Sequence, residues 1–442
     1  MFIVLIVWAA AAVFLNPAPV FAKRDYIDID NPLLRKIPLA IPLCVPMSGS
    51  ADELDMSRIL TDFFVNTLRL TGYFMIIDPE SLEASALGPQ RPARKIVLAH
   101  RDFPDWLQSG AELLVTCGIS IKNDMMDMEL RLYDIYRKTL LMGKRYRGHK
   151  KDYRKMALRF CGDLAFILTG SRWLFETKIA FVSTSAGKKE VYICEFDGRD
   201  PTRFSFANSI VLSPSWSSDG RWLAYTSYMA GRPDIYVRNL KHKGGSVISR
   251  KGINAFPDWF PGRFAFAATL SYSGDPEIYL LTGDGKIVKR LTYSKGIDVS
   301  PSWSPDGKHL AFVSDRSGTP QVYVKNMASN QVRRLTFDGA YNASPDWSPK
   351  GDRIAFSGVK DGRFHIFVIG AGGGKAIQLT RGSGNNESPS WSPNASHIAF
   401  SSSRSGAYRI YVMTASGNGQ HRLTLLPGEQ TDPEWSPVIK KR

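Results

Sequence analysis

The stretch SPSWSPDGKHLAFVSDRSGTPQVYVKN spans residues 300–326 and is one copy of a unit that recurs through the second half of the chain. Its tryptophan returns every 43 or 44 residues, and a glycine and an aromatic residue recur at the same interval. The recurring tryptophans are Trp216, Trp259, Trp303, Trp347, Trp391 and Trp435. The sequence therefore predicts a repeat architecture from about residue 175 onward.

One unit contains four short β-prone runs separated by turn residues. Pro305-Asp306-Gly307 and Asp315–Gly318 have turn composition, and the runs that flank them are apolar or alternating. Four antiparallel strands in ~44 residues are typical of a β-propeller blade, because such a sheet buries its faces only against neighbouring blades. We expect each tryptophan to lie between two blades.

The offset between the repeat series gives the number of blades. The glycine series starts at Gly187 with no tryptophan before it, and the tryptophan series ends at Trp435 with no glycine after it. The last strand, around Pro433–Pro437, should therefore complete the first blade, whose other strands lie within Lys178–Phe206. The sequence predicts a six-bladed β-propeller over residues 171–442, closed by the C-terminal strand.

Residues 23–170 lack the repeat and mix two periodicities. Apolar residues between Leu54 and Leu68 follow helical spacing up to Gly72, and a second amphipathic pattern from Met156 ends at Gly170. Further segments have the pattern of strands: Phe74–Ile77, Leu113–Ile121 and Met126–Tyr133. We predict a small N-terminal α/β domain, so that the fold class is multidomain, α/β plus all-β.

Residues 1–22 have the character of a secretory signal peptide. Phe2–Phe14 is apolar and uncharged, and Val20-Phe21-Ala22 forms a small-x-small site before the first charged side chains. The apolar run is shorter than the ~20 residues that a membrane-spanning helix needs. Export would permit a disulfide bond between Cys44 and Cys117, whereas burial of both as small apolar side chains is the alternative.

Composition and motifs bound the function. The chain carries 57 Lys or Arg and 41 Asp or Glu, a net charge of +16, which favours an acidic partner. Export argues against nucleic acid as that partner. The basic stretch Arg137–Arg159 is either a solvated face or a binding patch.

The sequence has no Gly-x-Ser-x-Gly elbow, no His-Glu-x-x-His motif and no phosphate-binding loop. We therefore expect a protein that is not an enzyme, with no catalytic, cofactor-binding or metal-binding residues.

A set of mostly polar residues recurs where each innermost strand begins. Three residues before the motif proline stand Asn254, Asp298, Asn342, Asn386 and Gln430, with Val211 at the sixth position. Directly before the proline stand Ser213, Phe256, Ser300, Ser344, Ser388 and Asp432. We expect these residues to encircle one mouth of the central channel, where propellers commonly bind partners. Capping of turns is the alternative.

The Pro-Ser-Trp-Ser-Pro-Asp-Gly units, the junction Thr177–Val182, the preceding α/β domain and the exported start together resemble the TolB family of periplasmic β-propeller proteins. The likeness covers essentially the whole mature chain. It is strengthened by the coupling of the blade motif to the segments Arg58–Asp78 and Phe103–Phe175. The resemblance implies a non-catalytic periplasmic adaptor of the Tol-Pal system, which serves outer-membrane integrity and constriction at cell division. We expect a monomer.

The resemblance also implies two partners. The Pal lipoprotein would bind at the propeller mouth and keep the chain peripheral to the outer membrane; the residues assigned to it are Asn254, Phe256, Asp298, Ser300, Asn342, Ser344, Asn386, Ser388, Gln430 and Asp432. TolA would bind an alternating N-terminal strip that could add to a partner sheet or fold back onto its own domain; its residues are Tyr26, Ile27, Asp28, Ile29 and Asp30. A calcium ion in the channel is implied by the family, although no residue in the sequence identifies its ligands.

Two other interpretations stay open at this stage. A propeller enzyme that acts on a periplasmic glycan would need two carboxylates facing one cleft, roughly 5 to 10 Å apart, and the recurrent positions offer Asp298 and Asp432. Binding to an anionic surface such as lipopolysaccharide rests on net charge alone, so a lack of salt dependence would count against it.

Overall fold

The computed structural model describes residues 36–77, 103–170, 172–242, 244–382 and 384–439. Within these ranges an α/β domain precedes a six-bladed β-propeller, as the sequence predicts. The predicted signal peptide and the strip Tyr26–Asp30 lie outside the described residues. No helix in the described ranges combines the length and the apolar composition that crossing a membrane requires.

The N-terminal domain is built on a mixed six-stranded sheet. Its strands are β1 (Ile37–Ala40), β2 (Val45–Pro46), β3 (Phe74–Ile77), β4 (Leu113–Lys122), β5 (Met125–Asp134) and β6 (Thr139–His149). They are ordered β3-β1-β4-β5-β6, and β2 also pairs with β4. The helices are α1 (Ala51–Leu70), α2 (Phe103–Gln108) and α3 (Tyr153–Thr169), with 3-10 turns at Lys150–Asp152 and Trp173–Glu176. Helices α1 and α3 share one apolar core with the sheet.

Capping residues fix the start of α1 and the end of α3. Ser50 Oγ accepts from the N–H of Glu53, and the Glu53 carboxylate accepts in turn from the N–H of Ser48 at 2.7 Å. Ser50 therefore caps one free N–H in the first turn of α1, and Glu53 holds the residues that precede the helix. Burial would raise the pKa of Glu53, but bonds from backbone groups, including the N–H of Ile121, lower it overall. Gly170, at φ +73°, ends α3 as the sequence predicts.

Of the two possibilities for the first cysteines, the structure contains the disulfide bond. Cys44 and Cys117 are joined across 73 residues and link the segment before α1 to β4. Both lie in the apolar core of the N-terminal domain. Cys161 and Cys194 are buried free thiols. The disulfide bond closes a loop of 73 residues. It stabilises the fold mainly because it reduces the conformational freedom of the unfolded chain.

Each propeller blade is a four-stranded antiparallel sheet. The first blade has β30 (Gln430–Trp435) innermost, followed outward by β7 (Lys178–Ser183), β8 (Glu190–Glu195) and β9 (Thr202–Arg203). In each of the other five blades the strands run outward in chain order. The second and third blades contain β10 (Val211–Trp216), β11 (Trp222–Ser227), β12 (Asp234–Asn239), β13 (Gly245–Ile248), β14 (Asn254–Trp259), β15 (Ala265–Leu270), β16 (Glu277–Thr282) and β17 (Ile287–Arg290).

The remaining three blades repeat the same arrangement. They contain β18 (Asp298–Trp303), β19 (His309–Ser314), β20 (Gln321–Asn326), β21 (Val332–Arg334), β22 (Asn342–Trp347), β23 (Arg353–Lys360), β24 (Arg363–Gly370), β25 (Ile377–Gln378), β26 (Asn386–Trp391), β27 (His397–Ser402), β28 (Arg409–Thr414) and β29 (His421–Arg422). Each inner strand contacts the inner strands of both neighbouring blades, which closes the circle.

Closure by the C-terminal strand is confirmed. Strand β30 pairs antiparallel with β7, with Gln430 opposite Ser183 and Trp435 opposite Ile179. The first blade is thus completed by the other end of the propeller sequence. Without β30, strand β7 would be the unpaired inner edge of a three-stranded first blade.

The recurring tryptophans lie between blades, as predicted. All six are 4–7% exposed. The indole N–H of Trp259 donates to the carbonyl of Ser215 in the preceding blade at 3.1 Å, and Trp391 does the same to Asp346 at 3.2 Å. Each of these rings therefore fills an apolar space and satisfies a backbone acceptor of its neighbour.

The two domains touch at the edge where the inner strands end. The Arg154 guanidinium of α3 donates to Asp197 of the first blade at 2.8 Å and also pairs with Asp200. A Cβ atom at Gly72 would lie 3.3 Å from His397 Nε2 of the sixth blade, so the chain after α1 runs close to that blade. Of the basic stretch Arg137–Arg159, Arg147 is 72% exposed in its side chain, whereas Arg154 is only 17% exposed. Much of that stretch is thus exposed, and one of its arginines is used at the domain junction.

Candidate protein-interaction site

One face of the propeller is formed where the inner strands begin. We define this mouth face as the loops that lead to the inner strands and the hairpins between the second and third strands. The loops are 204–210, 249–253, 291–297, 335–341, 379–382 with 384–385, and 423–429. The hairpins are 184–189, 228–233, 271–276, 315–320, 361–362 and 403–408. The N-terminal domain contacts the opposite edge, so the described residues of that domain leave the mouth face uncovered.

The five polar residues that begin the inner strands are buried. Asn254, Asp298, Asn386 and Gln430 are 0% exposed and Asn342 is 2% exposed. Sequence reasoning places them correctly at the mouth, but their side chains point into the protein. Any role in binding would therefore act through the loops that they hold.

These buried side chains fix the loops that precede them. Asn342 Nδ2 donates to the carbonyl of Asp338 and to Gln321 Oε1, both at 2.8 Å. Asn254 repeats the loop contact at the carbonyl of Arg250, also at 2.8 Å. Without these bonds the buried side-chain amides of Asn342 and Asn254 would be unpaired, which is costly. The turn-capping alternative thus holds for these positions.

The six residues directly before the motif prolines of the inner strands are partly exposed, and we call them the rim of the channel. Each has a positive φ between +48° and +53°. The members of this rim are Ser213, Phe256, Ser300, Ser344, Ser388 and Asp432. Left-handed backbone is unfavourable for residues with a side chain. Its repetition in all six blades makes the rim a rigid, strained feature, which is common at functional sites.

Neighbouring blades hold the strained rim in place. The N–H of Phe256 donates to Thr226 Oγ1 of the preceding blade at 3.1 Å, and the N–H of Asp432 donates to Ser401 Oγ at the same distance. Asp432 also accepts from Ser388 Oγ at 3.3 Å and from the N–H of Ser213 at 3.4 Å. Burial raises the pKa of Asp432. The rim is therefore continuous around this part of the circle.

A second ring lies two residues deeper along each inner strand, and sequence reasoning missed it. Its members alternate between serine and an acid: Ser215, Asp258, Ser302, Asp346, Ser390 and Glu434. Each acid recurs at an interval of 88 residues, so aligning the repeats in pairs of blades would have revealed the pattern. Three carboxylates are thereby placed around the channel.

Burial dominates the electrostatics of this acidic ring. It raises the pKa of Asp258 to about 7 and the pKa of Asp346 to about 8, the latter with help from the charge of Asp258. It also raises the pKa of Glu434 well above its ordinary value, reinforced by the charges of the other two acids. The three groups therefore take up protons more readily than isolated carboxyls.

The family resemblance implies a calcium ion in the channel. Among the described residues, the three carboxylates of the acidic ring are the candidates for its ligands. Carboxylate oxygens are the ligands that calcium prefers. However, the described residues contain no group of three or more Asp, Glu, His or Cys side chains close enough to hold one metal ion. The donors fit calcium in kind but not in placement, so we assign no calcium ligands.

Family models match nearly the whole described chain. The model of the TolB beta propeller domain matches residues 167–439, and the model of the TolB amino-terminal domain matches residues 25–141. The chain belongs to the TolB family. This agrees with the fold and with the order of the two domains.

Individual relatives of the TolB family support the same assignment. The chain is 50% identical over 279 residues to the Tol-Pal system protein TolB of Desulfosudis oleivorans, which covers 63% of this chain and 62% of the relative. It is 38% identical over 241 residues to the protein of the same name from Syntrophus aciditrophicus, covering 53% and 52%. The matched part of the chain therefore spans less than two thirds of the length of these relatives.

A solved structure supports the domain arrangement over a longer range. The crystal structure of TolB from Acinetobacter baumannii superimposes with a TM-score of 0.75 at 28% sequence identity. The superposition covers 91% of this chain and 97% of the other.

Proposed function

We propose that this chain is a non-catalytic periplasmic adaptor of the Tol-Pal system. It binds the Pal lipoprotein at the propeller mouth and TolA through the N-terminal strip Tyr26–Asp30, and it serves outer-membrane integrity and constriction at division. Residues 1–22 are the export signal, and the mature protein comprises an N-terminal α/β domain at 23–170 and the propeller at 171–442. Membership of the TolB family supports the system; the mouth geometry supports the place of binding.

The observation that carries the proposal is the strained rim. Six partly exposed residues hold the same unfavourable backbone conformation, and hydrogen bonds from adjacent blades stabilise it. A rim that is rigid before binding loses little conformational entropy when a partner docks. The recurrent residues thus form a preorganised contact surface, with Asn342 and its equivalents as the supports beneath it.

The glycan-enzyme alternative loses the carboxylate pair that the sequence offered. Asp298 is 0% exposed and accepts from Arg316 at 2.7 Å, whereas Asp432 is bonded to the rim residues Ser388 and Ser213. Because Asp298 is buried and paired with Arg316, its carboxylate does not face an open cleft. The adaptor is therefore the better account of these residues.

Binding at the rim can be tested with paired substitutions. Ser344→Arg and Ser388→Arg introduce bulk at the mouth and should weaken binding of the soluble domain of Pal at least tenfold in calorimetry. Ser329→Arg, in the exposed loop between β20 and β21 at the opposite edge, is the matched control and should bind like the parent. Equal affinity of all four proteins would move the site away from the rim.

The role of the strip is tested by deleting residues 23–30 from the mature chain. We expect unchanged Pal binding and an unchanged melting temperature, with loss of TolA from a pull-down. Normal recovery of TolA by the deleted protein would assign TolA binding to another part of the chain.

A further inference from the structure

The mouth face carries exposed aromatic residues at one repeated position. The position lies in each loop that leads to an inner strand, and it holds Phe206, Arg250, Tyr293, Phe337, Arg381 and Leu425 in turn. Phe206, Tyr293 and Phe337 are 69%, 68% and 71% exposed. Large apolar side chains at such exposure are informative when they cluster on one face.

Each of the three aromatic rings rests on an arginine. The guanidinium carbon of Arg203 lies 4.6 Å from the ring centre of Phe206, that of Arg290 lies 4.6 Å from Tyr293, and that of Arg334 lies 5.0 Å from Phe337. Cation–π contact of this kind holds the ring in one orientation.

The arginines are themselves anchored. Arg290 donates to the fully buried Glu277 at 2.8 Å and to the carbonyl of Thr292 at 2.9 Å. Arg203 makes the same two kinds of bond, to buried Glu190 at 2.7 Å and to the carbonyl of Ser205 at 2.9 Å. The exposed rings are therefore rigid platforms, for which ordering on binding costs little.

A second apolar row runs beside the platforms, nearer the channel. The residue before each inner strand is Ile210, Ile253, Ile297 and Tyr341 in four successive loops, each 39–49% exposed. The last two loops carry Asn385 and Glu429 instead. We call the three aromatic platforms and these four residues the apolar crescent; it lies on the loops that lead to the second, third, fourth and fifth blades. Leu425, which is 83% exposed in the loop to the first blade, lies outside it.

One end of the apolar crescent opens into a groove. A cavity of about 310 Å³ lies beside Phe206, with Met229, Tyr225, Tyr236 and Arg238 among its lining residues. Tyr225 and Tyr236 stack at 5.9 Å and form a firm aromatic wall. Partner anchors in protein interfaces are typically single aromatic or aliphatic side chains that enter such a pocket.

The charge of the mouth face indicates what kind of partner binds the crescent. The mouth face contains nine Lys or Arg and five Asp or Glu. We propose that the apolar crescent is the anchoring surface for a folded protein whose contact surface is acidic and which inserts an apolar side chain into the groove beside Phe206. This inference rests on the proposed function, because the partner is the one assigned there to the propeller mouth.

The test compares aromatic rings stacked on arginine at the mouth face with one such ring in the N-terminal domain. The triple variant Phe206→Ser, Tyr293→Ser, Phe337→Ser removes the crescent's aromatic rings from the full mature chain. Phe166→Ser is the matched control, since Phe166 is 49% exposed in α3 and also has an arginine, Arg172, stacked at 5.1 Å. We expect the triple variant to bind the soluble domain of Pal at least 30-fold more weakly, and the control to bind like the parent.

A second variant keeps the proposal testable if the triple variant folds poorly. Met229→Arg blocks the groove at a side chain that is 51% exposed, and it should weaken binding at least tenfold at an unchanged melting temperature. Raising sodium chloride from 50 to 500 mM should weaken binding by the parent several-fold, because exposed charges are screened.

The possible failures are distinguishable. If the parent binds Pal and both the triple and the Met229→Arg variants bind equally well, the apolar crescent is overturned and the proposed function stands. If the parent itself does not bind Pal, the proposed function fails first. If the parent binds anionic vesicles and the triple variant loses vesicle binding but still binds Pal like the parent, the crescent is a lipid-binding surface and the protein-anchor proposal is overturned.

Discussion

The carboxylate of Asp258 accepts a hydrogen bond from the backbone N–H of Trp303 at 2.8 Å and so joins the third blade to the fourth. Asp346 makes the equivalent bond to Trp391 between the fifth and sixth blades. At the intervening interface the acceptor is Ser302 Oγ, bonded to the N–H of Trp347 at 2.9 Å. The propeller thus uses neutral and ionisable groups for the same contact between blades.

The acidic ring should make the propeller more stable in mild acid than in mild base. The folded protein retains protons on Asp258 and Asp346 up to pH values of about 7 and 8, whereas the unfolded chain loses them near 3.8. Between these limits the folded state binds more protons, so the free energy of unfolding falls as pH rises. Asp258→Asn should therefore be stabilising at both pH values, and more so at pH 8 than at pH 5 by roughly 2 to 3 kcal/mol.

Thermal unfolding between pH 5 and pH 9 measures this difference. Asp346→Asn should behave like Asp258→Asn, and Asp275→Asn, an exposed carboxylate on the mouth face, is the control that should follow the parent. Parallel pH profiles for all four proteins would mean that the carboxyls of Asp258 and Asp346 ionise as freely as exposed ones.

The fold was largely predictable because one interval repeats along the sequence. The spacing of the tryptophans and the half-unit ending at Trp435 require six blades and closure by the last strand, and β30 pairs with β7 accordingly. The direction of a side chain cannot be predicted from its position in the sequence when the strand contains a register shift. A register shift between Ala255 and Asp258 turns Asn254 inward and leaves Phe256 on the rim.

The acidic ring shows a second limit of the sequence pattern. Asp258, Asp346 and Glu434 recur only in alternate blades, so each unit taken alone shows one polar residue and no pattern. Their significance depends on convergence around the channel, where burial and mutual charge alter their pKa values. That convergence is a property of the closed ring and of no single repeat.

The domain junction should weaken in acid through His397. This ring lies 6.0 Å from Trp173 and 6.3 Å from Trp435, and burial, reinforced by His421, lowers its pKa to about 4. The unfolded chain takes up the proton near 6.5, so the free energy of unfolding falls as pH drops from 6.5 towards 4. We expect this group to cost roughly 2 kcal/mol between pH 7 and pH 5.

Urea unfolding of His397→Gln at pH 7 and pH 5 isolates this contribution. The variant should lose less stability than the parent on acidification, while His242→Gln, an exposed histidine, should not differ from it. An identical loss in parent and His397→Gln would show that the junction does not sense this proton.

Arg154→Ala should uncouple the two domains. Its guanidinium makes two bonds to Asp197, whose side chain is only 6% exposed, and removal leaves that carboxylate largely buried without its partner. We expect a loss of about 2 to 4 kcal/mol and faster hydrogen exchange in α3 and in the loop after β8. Arg145→Ala, with 65% side-chain exposure, is the control. Unchanged exchange in Arg154→Ala would place the coupling in the apolar contacts alone.

The buried and exposed members of the mouth should respond differently to truncation. Asn342→Ala removes two hydrogen bonds at a side chain that is 2% exposed and should lower the free energy of unfolding by about 1 to 3 kcal/mol. Ser344→Ala, two residues away on the rim, should change it by less than about 0.5 kcal/mol. Chemical denaturation measures both. Equal effects would contradict the division of the mouth into supports and contact residues.

Removal of the last strand should prevent the propeller from folding. A chain that ends at Glu429 leaves β7 as an unpaired edge and removes Trp435, which is 5% exposed and packs in the first blade's core. Long unpaired edges promote aggregation, so we expect an insoluble product. A permuted chain that carries residues 430–439 directly before residue 172 restores the pairing and should be recovered as a soluble monomer with the parent's circular dichroism spectrum. A soluble, folded product from the truncated chain, with cooperative thermal unfolding, would mean that the ring is held by contacts between blades without its closing strand.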